Sequence, residues 1–440
     1  MGGGLVQLAA YGSQDVYLTT NPQITFFKGV YRRSTHFSIE SINQLIEGNI
    51  NFGGFITVVV ARNGDLLGSI VMEFSLPNPS DYVVNPEQYD YFGWIQGVGN
   101  YLIGSVSVEI GGHQIDEQFG KWMDIWSEIS LSESLLKNYG TMVGKNYSQP
   151  SWQPYDTTAE PGNRLFVPLQ FWFCRNPGLA IPLIALQYHE VRFKLLFSTF
   201  QKLIVAVKNG LYITPVLNGV APQLDQNKSF KIWNTYYFLD TVERRKFAQN
   251  AHEYLIEQVQ NQLGNVTSLT EENSVRINLN HPTKEIICTF NRNGTSAPPN
   301  DYSMGVNKIP NGTPAQFAPL YNFKIIINGT DRFKERPGEY FRLVQPSDHH
   351  TRIPGNYIYI YSFSLRPEEH QPSGTCNFSR IDSSLIDFYL RNTSTGIGSG
   401  DNTPVPPVEN YNELPSFNIF APCYNILRIM GGMGGLAYSN

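Results

Sequence analysis

Residues 106–112 read Val106-Ser107-Val108-Glu109-Ile110-Gly111-Gly112, and residues 323–329 read Phe323-Lys324-Ile325-Ile326-Ile327-Asn328-Gly329. Outward from these strand-like runs lies a second match. Phe37-Ser38-Ile39-Glu40-Ser41-Ile42 is answered by Tyr254-Leu255-Ile256-Glu257-Gln258-Val259, with aromatic or branched residues alternating against polar ones. Val108 and Ile325 are 217 positions apart, and so are Ile39 and Ile256. Self-similarity at a fixed period marks an architecture of repeated units. A period near half of a 440-residue chain means two whole domains of one fold.

Composition agrees with a β architecture. The chain holds 25 Tyr and 27 Phe, and its 38 Gly and 28 Pro are scattered throughout. Many short strands separated by Gly, Pro and Asn turns imply a sandwich or barrel. Charged residues make up only 16%, with a net charge of −5. So little charge suits a chain that buries surface against neighbours, and the weak acidity argues against a dedicated nucleic-acid binder. The N-terminal MGGGLVQLAA lacks a basic region, and no 18-residue apolar span exists, so neither signal peptide nor membrane helix is expected. Val6 stands where myristoylation needs Ser or Thr. Cys174, Cys288, Cys376 and Cys423 are far apart, which favours reduced thiols and an intracellular setting.

Along the chain, residues 1–23 read as an extended arm ending in Asn21-Pro22-Gln23. The first domain, 24–240, has strands expected at 37–46, 55–62, 67–76, 104–110, 164–173, 188–197 and 231–239. A polar loop covers 77–100. The spacing from Phe119 through Leu136 predicts one helix. Residues 241–252 form the linker and 253–437 the second domain. Loops at 291–320 and 392–412, rich in Asn, Gly and Pro, belong on the surface. The apolar segment 171–193 needs covering by its own chain or by a neighbour, and is expected to serve contacts between copies.

No motif carries catalysis. Gly140-Thr141-Met142-Val143-Gly144-Lys145-Asn146 superficially resembles a phosphate loop, but has three residues between its glycines where four are needed, and Asn where Ser or Thr must meet magnesium. It reads as a turn. Gly431-Gly432-Met433-Gly434-Gly435 has no helix after it and reads as a flexible tail. The eight histidines offer no HExxH and no His-x-His. His349-His350 is placed in a loop, and His189-Glu190 in a strand whose alternation separates the two side chains. Neither Cys174 nor Cys376 has a readable His partner. No catalytic, cofactor-binding or metal residue is assigned. The basic runs Arg32-Arg33 and Arg244-Arg245-Lys246, just before the first strand of each half, read as surface charge or as contacts to acidic surfaces. Eight Asn-x-Ser/Thr sequences occur, and Asn293, Asn311 and Asn392 fall in the expected loops, which makes them the glycosylation candidates.

Longer strings carry a specific resemblance. They are GGGLVQLAAYGSQDVYLTTNPQITFFKGVYRRSTHFSIESI (2–42), RNGDLLGSIVMEF (62–74), PGLAIPLIALQYHEVRF (177–193), FLDTVERRKFAQNAHEYLIEQ (238–258), QPSGTCNFSRID (371–382) and YNILRIMGGMGGLAYSN (424–440). In that order, over nearly the whole chain, they resemble the major capsid proteins of the large icosahedral DNA viruses that infect algae. The resemblance implies an all-β chain of two consecutive eight-stranded antiparallel jelly rolls, with short helices in loops. It further implies a homotrimer forming a pseudo-hexameric capsomer, neighbouring capsomers and minor capsid proteins as partners, and an internal viral membrane beneath the shell. Glycans on outer loops, assembly in the host cytoplasm and no cofactor go with it. The alternative from another class is a jelly-roll carbohydrate-binding protein for host attachment, with sugars held by aromatic, Asn-rich loops.

Overall fold

The computed structural model describes residues 2–155, 164–209, 211–224, 230–269, 271–291, 298–303, 318–391 and 414–438. Eight principal strands build the first roll: β1 (Phe37–Asn43), β2 (Phe55–Val59), β3 (Leu66–Ser75), β4 (Ile103–Ile110), β5 (His113–Gln118), β6 (Arg164–Pro168), β7 (Val191–Phe197) and β8 (Lys231–Leu239). Eight more build the second: β9 (His252–Gly264), β10 (Asn273–Arg276), β11 (Glu285–Asn291), β12 (Leu320–Ile327), β13 (Thr330–Asp331), β14 (Ile358–Ser362), β15 (Ser384–Leu390) and β16 (Ser416–Met430). The first roll has sheets in the order β1-β8-β3-β6 and β2-β7-β4-β5. The second has β9-β16-β11-β14 and β10-β15-β12-β13, the same order with every label raised by eight. These are two jelly rolls of one topology.

The repeated run is the β4–β5 hairpin in one roll and the β12–β13 hairpin in the other. Each turns through two residues in the left-handed region, Gly111 (φ 60) with Gly112 (φ 83), and Asn328 (φ 47) with Gly329 (φ 75). A two-residue turn with both central φ values positive matches the twist of its flanking strands. Val108 faces Phe193 of β7, Ile325 faces Ile386 of β15, and all four are buried.

Alternation fills each core. Phe74, Phe197 and Tyr236 are among those that close the first, and Phe290, Phe388 and Phe417 the second. The Phe290 and Phe417 rings stack with centroids 4.7 Å apart. Burying each such side chain is worth about 2–3 kcal/mol.

Several local expectations need correction. The run 119–136 is two helices, α1 (Gly120–Ser130) and α2 (Glu133–Val143), because the backbone turns extended at Leu131 and Ser132. The strand expected at 164–173 stops at Pro168, and Trp172–Arg175 is a helical turn. Tyr188, His189 and Glu190 precede β7 rather than lying in it. The loop 77–100 contains a strand at Tyr91–Trp94, and 241–252 contains a helix, α3 (Thr241–Gln249). Gly431 and Gly432 (φ 59 and 82) turn β16 back into β17 (Met433–Leu436), so the glycine-rich end is a paired hairpin and not a tail. In 171–193, Phe171, Trp172, Phe173, Ile181, Leu183 and Leu186 all enter the first core, so most of its apolar surface is covered by its own chain, although Tyr188 stays exposed.

Met1–Phe37 form a separate unit. It is not extended throughout: Gly3–Ala9 and Val16–Thr19 are helical, with the Asp15 carboxylate accepting from Gly12 N–H at 2.8 Å. Both helices are wholly exposed, including Leu5, Leu8, Tyr17 and Leu18.

Candidate functional site

The seam between the two rolls concentrates the buried chemistry of the chain. Helix α1 follows β5, and its Trp122, Ile125, Trp126 and Ile129 recur at the i, i+3, i+4, i+7 spacing of a single apolar stripe. That stripe lies on the outer face of the β9-β16-β11-β14 sheet, against Val259, Ile287, Ile358, Ile360 and Phe420. Alternation along β11 explains the double burial: Ile286, Cys288 and Phe290 point into the second core while Ile287 points at the helix. Gly120 opens the helix where a side chain would not fit, since a Cβ there would sit 2.0 Å from the Asn100 carbonyl oxygen. Beyond the second core, the long β9–β16 ribbon reaches back, and Ile256, Leu427 and Ile429 join the first core.

Buried charge flanks this apolar patch. On one side Lys145 donates to Asp124 Oδ1 at 2.6 Å and lies 3.6 Å from Glu128. Burial would push the Lys145 amine down, but Asp124 and Glu128 hold it above its ordinary range. The same Asp124 accepts from Tyr101 at 3.0 Å, and Tyr101 meets Tyr302 of the second roll at 2.5 Å. Glu128 accepts from Asn356 N–H at 2.9 Å and from Asn356 Nδ2 at 2.8 Å, again across the seam.

On the other side Glu257 of β9 accepts from Arg175 of the first roll at 3.1 Å and from Lys284 at 2.9 Å. Burial alone would raise the Glu257 carboxyl. The His370 hydrogen bond and the charges of Arg175 and Lys284 outweigh it and hold the group at about 2. The Arg175 guanidinium also covers the Trp126 ring at 4.8 Å. Asp116 accepts from Val259 N–H at 3.1 Å, and Gln258 donates to the Ile115 carbonyl. Desolvation lifts Asp116 to about 7.

The residues singled out in the sequence fall into structural places. Gly140–Gly144 is the last turn of α2, with Gly144 (φ 75) as its left-handed cap donating to the Gly140 carbonyl. His349 ends a short helix, Gln345–His349, rather than lying in a loop. The His350 side chain is wholly buried between Glu285 (2.8 Å) and Glu368 (3.0 Å). His189 Nδ1 lies 3.0 Å from the Gly434 carbonyl oxygen and ties the first roll to the terminal hairpin. The four cysteines are unpaired, and burial pushes Cys174 and Cys423 up to about 12. Arg244 pairs with Asp65 at 2.9 Å. The glycosylation candidates Asn293, Asn311 and Asn392 lie outside the described residues. Among the described residues no cluster of metal-ligating side chains occurs, and no helix is long and apolar enough to cross a membrane. Sequence reading missed Lys145, Glu257 and Lys284 as seam residues. Alternation shows which face a strand residue takes, not which partner waits there.

The rolls also have two distinct ends. β3, β11 and β15 finish at Ser75, Asn291 and Leu390, where the expected loops 77–100, 291–320 and 392–412 depart. At this end Asn300 Nδ2 donates to the Gln96 carbonyl at 3.0 Å, and Tyr212 OH to Asp301 at 2.9 Å. β1 runs beside β8, with Gln44 N–H on the Ile232 carbonyl, so Ser38 lies at the opposite end.

Comparison with known proteins bears on what such a body does. Residues 243–435 match the family described as large eukaryotic DNA virus major capsid protein, and residues 25–240 match the major capsid protein N-terminus. The chain is 40% identical to a major capsid protein of Pyramimonas orientalis virus and 39% identical to that of Paramecium bursaria Chlorella virus 1, each over the full length of both chains. Among solved structures, the PBCV-1 virus capsid matches with a TM-score of 0.77 at 35% identity, covering 94% of this chain and 100% of that one. The Faustovirus major capsid protein shares the fold, with a TM-score of 0.69 at 13% identity over 97% and 96% of the two chains. The carbohydrate-binding alternative finds no support in these relatives.

Proposed function

The chain belongs to the family of major capsid proteins of large eukaryotic DNA viruses, and from that premise we propose that its working unit is a homotrimer forming a pseudo-hexameric capsomer. As a capsid protein it is a structural component of the virion shell. The observation that carries the capsomer reading is the identical strand order of the two rolls. Six similar rolls tile a plane with only three-fold symmetry, because each chain already supplies two of the six. The seam supports this reading: apolar packing, the Arg175–Glu257 ion pair and the Glu128–Asn356 hydrogen bonds hold the two rolls of one chain together.

The division into arm (1–23), first roll (24–240), linker (241–252) and second roll (253–437) serves that design. The loops 77–100, 291–320 and 392–412 form the outer end and carry any glycans, with Asn293, Asn311 and Asn392 as acceptors. The arm, with its exposed Leu5, Leu8, Tyr17 and Leu18, lies beneath the shell among neighbouring capsomers and minor capsid proteins, above the internal membrane. Assembly takes place in the host cytoplasm. The protein works by packing and not by catalysis. Light scattering of the purified chain is expected to give the mass of three chains. A chain that stays monomeric at high concentration and in particles overturns the capsomer reading. Peptide mapping of particles, with glycans found only on strands or the arm, overturns the loop assignment.

A further inference from the structure

The two rolls repeat each other, yet equivalent sheets are covered differently. In both, the segment between the sixth strand of the roll and the strand before it in sequence is helical: α1 and α2 in the first, Tyr340–His349 in the second. The first insertion lies on the outer face of the β9-β16-β11-β14 sheet, which is consequently buried on both sides. The second insertion has no such sheet beneath all of it. Leu343 and Val344 remain 37% and 43% exposed.

The equivalent sheet of the first roll, β1-β8-β3-β6, is bare on the same side. Ser41 Oγ meets Thr235 Oγ1 at 3.2 Å, and Ser69 Oγ donates to the same oxygen at 3.0 Å, which places all three on the outer face. Alternation then puts Ile39, Trp233 and Val71 on that face beside them. Ile39 is 57% exposed and Phe166 of β6 36%, whereas Ile287, Ile358 and Phe420 of the sister sheet are fully covered. β1 is also an edge strand, paired only to β8. An open edge and an uncovered face that carries Ile39, Trp233, Val71 and Phe166 among its polar groups invite a partner strand or helix.

We propose that the bare outer face of β1-β8-β3-β6 is covered by the Tyr340–His349 insertion of a second copy of this chain, repeating between chains the contact that α1 makes within one. The occupant follows from the duplication. A heterologous contact that repeats the intrachain one hands each insertion to the next roll, and after three chains the ring closes with no insertion left over. Both surfaces are of mixed charge, with Lys231 and Arg164 beside Glu73 on the sheet and Arg342 with Asp348 on the insertion, so neither sets a net repulsion against the other. This inference rests on the trimer reading and deepens it by assigning the two faces that meet.

The test uses the full-length chain. Ile39→Lys and Val344→Glu each place a charge at a position already exposed in the single chain, so the roll itself is expected to fold. Each should raise the concentration at which trimers dissociate, read by light scattering, at least tenfold, while Leu365→Glu, exposed on a different segment, should leave it unchanged. Hydrogen exchange of the unsubstituted chain provides an independent readout, with protection gained on trimer formation at 37–43, 231–239 and 340–349. A trimer whose dissociation ignores both substitutions, or whose protection falls elsewhere, overturns this interface and leaves the trimer reading standing. A wild-type chain that never trimerises overturns both.

Discussion

The Arg175 guanidinium of the first roll lies 3.1 Å from the Glu257 carboxylate of the second, whose other oxygen takes the Lys284 ammonium at 2.9 Å. Lys284 is itself fully buried, so this carboxylate is what makes a charge tolerable inside the chain.

Removing that carboxylate should therefore cost more than a surface pair would. Glu257→Gln strands Lys284 in the interior and is expected to destabilise the chain by about 3–5 kcal/mol in urea unfolding. A loss under 1 kcal/mol would show that the pair is not the fastening. The pH dependence has a definite sign. With the folded group at about 2 against an ordinary 4.5, its contribution is complete above about pH 4.5 and fades as the pH falls towards 2. Acid unfolding of Glu257→Gln should be correspondingly flatter over that window.

His350 behaves in the opposite direction. Burial would lower it, but Glu285 and Glu368 on its two nitrogens raise it to about 9 from an ordinary 6.5. A raised imidazole stabilises fully below pH 6.5, and that contribution disappears as the pH rises through 9. Melting curves of the wild type should fall between pH 7 and 9.5 by more than those of His350→Gln. Equal slopes would exclude a charged His350.

Packing at the seam is open to truncation. Ile287 is fully buried beneath α1 and does not point into the core of its own roll. Ile287→Ala is expected to cost about 2–5 kcal/mol, the range for large-to-small changes at buried sites. A cost below 1 kcal/mol in thermal or urea unfolding would mean that α1 is only loosely seated.

Two glycines separate two causes of intolerance. Gly112 has φ 83 and open space around a would-be Cβ, so Gly112→Ala meets only the backbone penalty of about 1–2 kcal/mol. Gly120 has an ordinary φ, but its Cβ would collide with the Asn100 and Ile103 carbonyls. Gly120→Ala should be the more damaging of the two, because α1 must lift off the seam to make room. The reverse order in measured unfolding free energies would contradict the close approach.

Much of the fold could be read from local pattern. The run ending at Gly111-Gly112 and its counterpart ending at Asn328-Gly329 announced one hairpin used twice, since alternation and turn-compatible residues act over a few positions. The site was far less legible. Lys145 was visible only as part of a failed phosphate motif, and His350 only as half of an adjacent pair. Their partners, Asp124 for one and Glu285 with Glu368 for the other, are remote in sequence and brought near by folding. The 171–193 segment was apolar enough to suggest an interface, yet most of its Phe, Trp, Ile and Leu side chains turn inward, which no count of Leu and Ile reveals.

The sequence by itself determined that the chain is two copies of one β-domain, because strand periodicity and the 217-position repeat are properties of the chain alone. Only the tertiary structure decided how the copies differ. Ile39 and Ile256 occupy first strands at the same repeat position, yet the first is 57% exposed and the second fully buried. The reason is physical: β9 runs on past its own core and is buried against the first roll, whereas β1 ends at an open edge, and burial depends on what a neighbouring roll supplies.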